Sequence, residues 1–170
     1  MSQIIKFIDN ISLIDKTDFD NLTANISSPF INYDFLSSLE VSKCVSKSTG
    51  WESNHLASYK KNKLDGFMPL YTKNNSQGEF VFDHSWSYAL NRAGRNYYPK
   101  LLTAIPFTPC ESKKIIGNEV NKFFFEEVVE YMHKKNIESW HVLFPDNDLG
   151  NDLKENNFIE RNGYKFIWKN

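Results

Sequence analysis

Residues 79–84 hold the side chains of this chain that are best suited to acid-base chemistry. Glu79, Asp83 and His84 follow one another closely. An imidazole beside a carboxylate can titrate close to neutral pH and exchange a proton with a substrate. We therefore predict Asp83, His84 and Glu79 as candidate catalytic residues. An alternative for Asp83 is that it caps the helix predicted to follow.

The spacing of Glu79 and Asp83 also predicts the direction of their side chains. In an extended segment, alternate side chains point to the same side, so both carboxylates would share one surface, and Phe80 and Phe82 would face the other. The alternative is that this surface is the solvated face of an edge strand.

A second group of candidates recognises substrate. Tyr97 and Tyr98 supply flat apolar area with polar tips, and Lys100 supplies a compact cation for a carboxylate or phosphate. We predict these three as substrate-binding residues, together with Tyr71 and Lys73. A cleft with both charge signs suits a peptide or an amino-acid-like substrate. The alternative is that the aromatic residues only wedge a helix against the sheet.

The loop TPCESKKIIGN, which leads into the longest predicted helix, could hold phosphate. Free backbone N–H groups at the start of a helix bind anions, and lysine side chains add positive charge. We predict Lys113, Lys114, Gly117 and Asn118 as cofactor-binding residues. The alternative is an ordinary strand-to-helix turn with solvated lysines.

Composition narrows the class of protein. The chain has 170 residues, 15% of them aromatic, and a net charge of −1. This length suits one globular domain, and the charge balance gives no basic field for DNA. Cys44 and Cys110 have no metal-ligand spacing, so we expect two free thiols, no metal and a reducing compartment. No signal peptide or membrane-spanning run is present, and we predict a cytoplasmic protein without membrane insertion.

Hydrophobic periodicity predicts the elements that must position these residues. His55, His133 and His141 are expected to be structural or surface residues rather than ligands. The strand spanning 138–144 reads as buried on both faces, and Pro69 predicts a bulge or an edge. Ser27 or Ser28 is the expected cap of the second helix. Strands are predicted at 3–8, 55–60, 64–73, 79–83, 100–107 and 138–144, with one or two more in 157–170. Helices are predicted at 13–25, 29–43, 85–94, 118–135 and 147–156.

The order of these elements predicts an α/β or α+β domain with a central mixed β-sheet flanked by helices. Its second half alternates strand and helix, which is typical of this class.

Several short sequence words occur in one order along nearly the whole chain: GW and HL within 50–56, PLYTKNNSQGEFVFDHSW at 69–86, YYPKL at 97–101, IPFTP at 105–109 and RNGYKFIWKN at 161–170. This series resembles the FemAB-like, peptidoglycan biosynthesis/recognition family of predicted N-acyltransferases, which is related to the GNAT superfamily. The family tends to have Trp at the position of His84, so the resemblance supports Glu79 and Asp83 but not His84.

The resemblance implies a GNAT-like domain over residues 1–170, corresponding to the first of two tandem domains, with the second half of the family absent. It implies transfer of an acyl or aminoacyl group, from acyl-CoA or aminoacyl-tRNA, to an amine of a peptide-like or cell-wall-precursor substrate. The phosphate-binding signature of the GNAT superfamily is missing. An alternative function is therefore a non-catalytic recognition or assembly module that needs a partner chain or a second domain.

Overall fold

The computed structural model of this chain describes residues 3–117, 120–163 and 168–169. The strands in these residues are β1 (Ile4–Ile8), β2 (Trp51–Ser53), β3 (His55–Lys60), β4 (Lys63–Met68), β5 (Tyr71–Lys73), β6 (Lys100–Thr103), β7 (Ile116–Gly117) and β8 (Trp140–Val142). The helices are α1 (Lys16–Thr23), α2 (Tyr33–Val41), α3 (His84–Arg92), α4 (Asn121–Lys135) and α5 (Asn147–Glu155). The predicted class, strands mixed with helices, is confirmed.

The strands form two four-stranded sheets within the described residues. The first has the order β1-β3-β4-β7 and is antiparallel throughout, and the second has the order β2-β5-β6-β8. In the second sheet β6 runs antiparallel to β5 but parallel to β8. The mixed β-sheet predicted for the domain is therefore found, with its parallel pair in the second sheet and its strands divided between two sheets.

Pro69 lies where the chain leaves the first sheet and enters the second. The predicted strand 64–73 is divided there into β4 and β5, because proline has no N–H to donate to a sheet. The two sheets stay connected at this point. The Asn54 N–H donates to the Leu70 carbonyl at 2.9 Å, and the Leu70 N–H donates to His55 Nδ1 at 3.2 Å. His55 is thus structural, as predicted: its other nitrogen, Nε2, lies 3.0 Å from Glu40 Oε1.

The hydrophobic core has three parts. One lies between the sheets and helices α4 and α5, and it includes Leu101, Phe124 and Leu153. A second lies under α1 and α2, with Phe67 of β4 at its centre. The third, much smaller, covers one face of the second sheet, where Trp51, Tyr71 and Leu102 are buried. Charged residues complete this third layer, which makes it the chemically informative part of the fold.

The caps found for α2 and α3 differ from the predicted ones. Asn32 caps α2, since its side chain accepts from the Phe35 N–H at 2.7 Å, while Ser28 caps only a short 3-10 turn and makes no side-chain bond. The prediction of Ser27 or Ser28 as the cap of this helix is therefore wrong. Asp83 occupies the N-cap position of α3, but its carboxylate accepts no capping bond because it is turned towards the core.

Several other predicted strands differ from the structure. Residues 79–83 are irregular, with Phe80 at a positive φ of 58°, and β6 ends at Thr103, before Phe107. Strand β8 is half-buried, so the prediction of burial on both faces is wrong. Residues 158–163 form no strand, and the rest of the predicted C-terminal strands falls largely on 164–167 and 170, outside the described residues.

No helix in the described part of the chain is long and apolar enough to cross a membrane.

Candidate functional site

Two lysines on adjacent strands form the centre of a buried charged cluster. Lys73 of β5 and Lys100 of β6 are directly opposite each other in the antiparallel register, and both side chains are fully buried. Because alternate residues of a strand share a face, Lys73 lies on the same side of the sheet as Tyr71. Burying two cations side by side is costly without compensating anions.

The compensating anions come from the irregular segment before α3. Lys100 Nζ donates to Asp83 Oδ2 at 2.5 Å, to Glu79 Oε2 at 2.8 Å and to Ser76 Oγ at 2.9 Å. Glu79 and Asp83 are only 3% and 4% exposed. The predicted alternation holds, but the alternative of a solvated carboxylate face is wrong: the carboxylates are buried, whereas Phe80 and Phe82 are exposed.

The two carboxylates differ in how strongly the protein stabilises their charge. Burial alone would raise the pKa of Asp83, but hydrogen bonds from Lys100, Tyr97 and Ser76 outweigh it and lower that pKa to about 2. Burial raises the pKa of Glu79, since Lys100 is its only hydrogen-bond donor. The second oxygens, Glu79 Oε1 and Asp83 Oδ1, are buried and accept no hydrogen bond from the described residues.

Lys73 is held less tightly than Lys100. Its ammonium group lies 3.7 Å from the centre of the Trp51 ring, a cation–π contact, and donates to the Gln77 carbonyl at 3.1 Å. Glu79 Oε1 is 3.9 Å away. Burial lowers the pKa of Lys73 to about 8, because Glu79 offsets only part of the desolvation and Lys100 adds repulsion.

Tyr97 and Tyr98 complete the cluster from the segment that enters β6. The Tyr97 hydroxyl donates to Asp83 Oδ2 at 2.6 Å, and the Tyr98 hydroxyl is 2.7 Å from Ser76 Oγ. Burial and the Asp83 carboxylate raise the pKa of Tyr97 well above its usual value. Tyr97 is buried, and Tyr98 and Ser76 are half-buried.

Two predicted site residues lie elsewhere. His84 is exposed at the start of α3 and makes no hydrogen bond to Asp83, so the predicted Asp83–His84 pair does not form. Tyr71 is buried, with its ring 5.1 Å from Trp51 and 5.0 Å from His55, and its contacts are core packing.

Sequence reasoning missed several members of the cluster. Ser76 and Gln77 sit in a stretch that reads as a polar loop, and nothing in their types marks them as hydrogen-bond partners of the buried lysines. His141 of β8 was predicted to be structural, yet its ring lies 5.9 Å from Tyr97. Burial, with repulsion from Lys100, lowers the pKa of His141 to about 4, so its imidazole is neutral at pH 7.

A groove of about 510 Å³ lies at the opposite end of the β6–β8 region, where β7 leads into α4. One wall comes from the segment before α4 and from the first turn of α4, and the other from α5 and the residue before it. The residues that line it are Lys113, Ile115, Gly117, Asn121, Lys122, Phe123, Asp146, Asp148, Leu149 and Asp152. This groove, unlike the charged cluster, is open to solvent and large enough to admit part of a ligand.

Some of the predicted cofactor-binding residues line this groove and others do not. Lys113 is exposed and lines it, and so does Gly117. Gly117 has a positive φ of 122°, and a side chain there would come within 2.4 Å of the Asp65 carbonyl oxygen. Lys114 is fully buried with its ammonium group enclosed by protein oxygens, so it is neither a solvated lysine nor a free phosphate ligand. Asn118 lies outside the described residues.

Within the part of the chain that the structure describes, no group of three or more His, Cys, Asp or Glu side chains could hold a metal ion. In the charged cluster, the carboxylates of Glu79 and Asp83 are bound by Lys100. The groove is lined by side chains of both charge signs.

Comparisons with known proteins agree on the fold. The ribosomal-protein-alanine N-acetyltransferase from Brucella melitensis biovar Abortus aligns with a TM-score of 0.53 at 10% identity, over 99% of both chains. An aminoglycoside antibiotic 6'-N-acetyltransferase from Acinetobacter haemolyticus aligns with a TM-score of 0.52 at 12% identity, over 98% of both. A comparison with curated proteins gives no match.

These alignments show that the chain has the fold of GNAT N-acetyltransferases, as the sequence words implied. The model of the FemAB-like family, described as peptidoglycan biosynthesis/recognition, matches residues 10–170. The match covers nearly the whole chain and includes both the charged cluster and the groove. This chain therefore belongs to the FemAB-like family.

Proposed function

We propose that this chain transfers an acyl group from a thioester donor of the acyl-CoA type to an amine of a peptide-like or cell-wall-precursor substrate. The observation that carries the proposal is the open groove where β7 leads into α4, beside the parallel strands β6 and β8. Family membership and the fold shared with N-acetyltransferases support it. Of the two donors predicted from the sequence, acyl-CoA is the one this support favours.

The donor end of the groove has the chemistry that phosphates need. Lys113 and Lys122 line it with cations, and the first turn of α4 contributes Asn121 and Phe123 to the wall. Val120 occupies the N-cap position of the fifteen-residue helix α4. Its side chain makes no capping hydrogen bond to the backbone N–H groups of the first turn. The positive end of the helix dipole and these N–H groups favour a bound anion.

The wall of the groove formed by α5 has the negative charge needed to bind the amine acceptor. Asp146, Asp148 and Asp152 project from the start of α5 and its N-cap. Asp146 accepts from the Leu149 N–H and Asp152 accepts from Asn121, whereas Asp148 is exposed. Carboxylates attract the ammonium form of an amine, so the groove combines a cationic site for donor phosphates with an anionic site for the acceptor. Holding the two reactants together supplies most of what such a transfer requires.

The charged cluster takes a positioning role in this proposal. Glu79 and Asp83 are buried and bound to Lys100, so neither carboxylate reaches a substrate amine. They hold β6 in place through Lys100, and His84, exposed on α3 next to Asp83, is not among the residues that line the groove. The roles of Lys100, Tyr97 and Tyr98 in substrate binding become indirect for the same reason.

Binding of coenzyme A is the direct test. Isothermal titration of the wild type should give a measurable Kd, and the double variant Lys113→Met, Lys122→Met should weaken binding by about a hundredfold or more through the loss of two charged hydrogen bonds. The matched control removes two exposed lysines of the β3–β4 turn, Lys61 and Lys63, and should bind like the wild type. Acetyl-CoA with a panel of amino-terminal peptides should then release free thiol. Absence of coenzyme A binding by the wild type would contradict the proposal.

A second candidate is a recognition or assembly module that works with a partner chain. Exposed apolar surface favours it: no residue of α3 is buried, and Phe82 and Tyr88 are 89% and 65% exposed. Light scattering on the purified protein and on Phe82→Ser would show whether this surface holds chains together. Full transferase activity by a monomer would argue against this candidate.

A further inference from the structure

Lys114 is a buried cation without a carboxylate partner among the described residues. Its Nζ lies within hydrogen-bond distance of four oxygens: the Cys110 carbonyl at 3.2 Å, the Ser112 carbonyl at 3.0 Å, the Ser112 hydroxyl at 2.9 Å and the Phe144 carbonyl at 2.6 Å. Burial of an ammonium group is costly, and here its hydrogen bonds all go to neutral oxygens, while Asp146 and Glu111 add favourable charge at longer range. Residues that bury such a charge must be held closely around it.

These four oxygens belong to both walls of the groove. Cys110 and Ser112 precede the wall formed by Lys113 and Ile115, whereas Phe144 is two residues before Asp146, the N-cap of α5 on the opposite wall. Lys114 therefore joins segments that are 30 residues apart in sequence. Its own side chain points inward, which leaves its neighbours Lys113 and Ile115 facing the groove.

Phe144 itself shows that this connection constrains the backbone. It has a φ of +48°, a region that bulky side chains rarely adopt and that persists only where the surroundings hold it. Its carbonyl accepts from Lys114 and also from the Ser112 N–H at 3.3 Å, next to a parallel bridge between Ser112 and Pro145. Turning this carbonyl towards Lys114 fixes the direction in which the chain enters α5.

We propose that Lys114 is a positioning residue: its ammonium group sets the separation of the two groove walls by holding the 110–115 segment against Phe144. The inference about local structure stands on the contacts alone. Its consequence for donor binding rests on the proposed function.

Cys110 reports directly on this contact. The chain has two cysteines, Cys44 is exposed, and Cys110 is half-buried beside Lys114. In a Cys44→Ser background, Cys110 is the sole thiol, and its rate of reaction with a thiol reagent measures opening of the 110–115 segment. Lys114→Met removes the charge and the donors while keeping the length of the side chain. We expect about a tenfold faster reaction, as for the loss of hydrogen bonds to a charged group.

Lys113→Met is the matched control, since it removes a neighbouring charge without touching the buried contacts. It should leave the rate of Cys110 modification unchanged. An unchanged rate in folded Lys114→Met, judged by circular dichroism and a cooperative melt, would overturn the proposal. If Lys114→Met does not fold, Ser112→Ala, which removes one of the four acceptors, should speed modification about two- to fivefold, and an unchanged rate there would overturn it equally.

Measurements of coenzyme A binding distinguish a failure of this inference from a failure of the proposed function. Lys114→Met and Lys113→Met should both weaken coenzyme A binding, but only Lys114→Met should also speed modification of Cys110. In turnover, Lys114→Met should raise KM for the donor and leave kcat nearly unchanged, because the residue does not touch the reacting atoms. If the wild type fails to bind coenzyme A while Lys114→Met still exposes Cys110, the proposed function is wrong and the positioning role stands.

Discussion

Lys100→Met should destabilise this protein far more than the loss of a surface charge. The substitution keeps the length of the side chain but removes a buried ammonium group that donates to Glu79, Asp83 and Ser76. Removing one partner of a buried ion pair costs about 3–5 kcal/mol, because the other charge stays buried without compensation. Two carboxylates are left here, so we expect the upper part of that range.

Urea unfolding, followed by circular dichroism, measures this loss. Lys134→Met is the matched control, since Lys134 forms an ion pair with Glu130 on the exposed face of α4 and should give no resolvable change. The triple variant Lys100→Met, Glu79→Gln, Asp83→Asn removes the uncompensated charges and should recover part of the stability. A loss below about 1 kcal/mol for Lys100→Met, which is ordinary for any substitution, would refute the assignment of Lys100 as the centre of the cluster.

The same cluster makes a signed prediction about pH. Asp83 has a folded pKa of about 2, below its unfolded value near 3.8, so the stability it contributes is present above pH 3.8 and is lost as pH falls towards 2. Its magnitude is about 2 kcal/mol at neutral pH. Glu79, whose pKa is raised, acts in the opposite direction above pH 4.5. Asp83→Asn should therefore flatten the acid limb of the stability curve; an unchanged limb would contradict the ion pair.

Three further predictions concern single contacts. Burial lowers the pKa of Lys114 to about 8, so the unfolded chain binds more protons between pH 8 and 10.5, and stability should rise with pH there in the wild type but less in Lys114→Met. Lys61 and Asn62 both have positive φ between the paired residues of β3 and β4, so replacing them with Asn-Gly should raise the free energy of unfolding by about 1 kcal/mol. Asn32→Ala should cost about 1 kcal/mol, while Ser28→Ala should cost nothing measurable. Urea titration checks all three, and equal losses for the last pair would disprove the cap.

Helices α4 and α5 were predictable from sequence because each buries a periodic apolar stripe. Helix α4, the longest, carries Phe124 and Val128 on its inner side, and α5 buries Leu149 and Leu153 as expected. The division of the sheet was not predictable, because hydrophobic spacing says which residues are extended but not which strands pair. Pro69 was the one visible signal, and it marks the point where the chain changes sheets.

The charged residues of the cluster could be predicted, but neither their buried position nor their uncharged partners could. Glu79, Asp83 and Lys100 were selected for their chemistry, and the structure does bring them together. Their types suggested solvent-facing catalytic groups, because a single sequence cannot show that Lys100 lies opposite Lys73 in the core. Charges of opposite sign can be buried only as a set, and the set forms from segments 21 residues apart. The predicted Asp83–His84 pair does not form for a different reason. Two residues that are adjacent in sequence at the start of a helix need not have their side chains on the same side of it.

Two of the three lysines that are buried in the described part of the chain, Lys100 and Lys114, suggest why the fold tolerates so much internal charge. Strand β8 pairs with β6 over only three residues, in the parallel arrangement that is less stable per residue than the antiparallel one. Lys100 begins β6 and is fixed by carboxylates, and Lys114 is fixed to the Phe144 carbonyl just beyond β8. A short parallel pair is thus anchored near both ends by ammonium groups rather than by long strands. Hydrophobic residues could bury the same area, but they lack the directional bonds that hold β6 and the start of α5 at a defined separation.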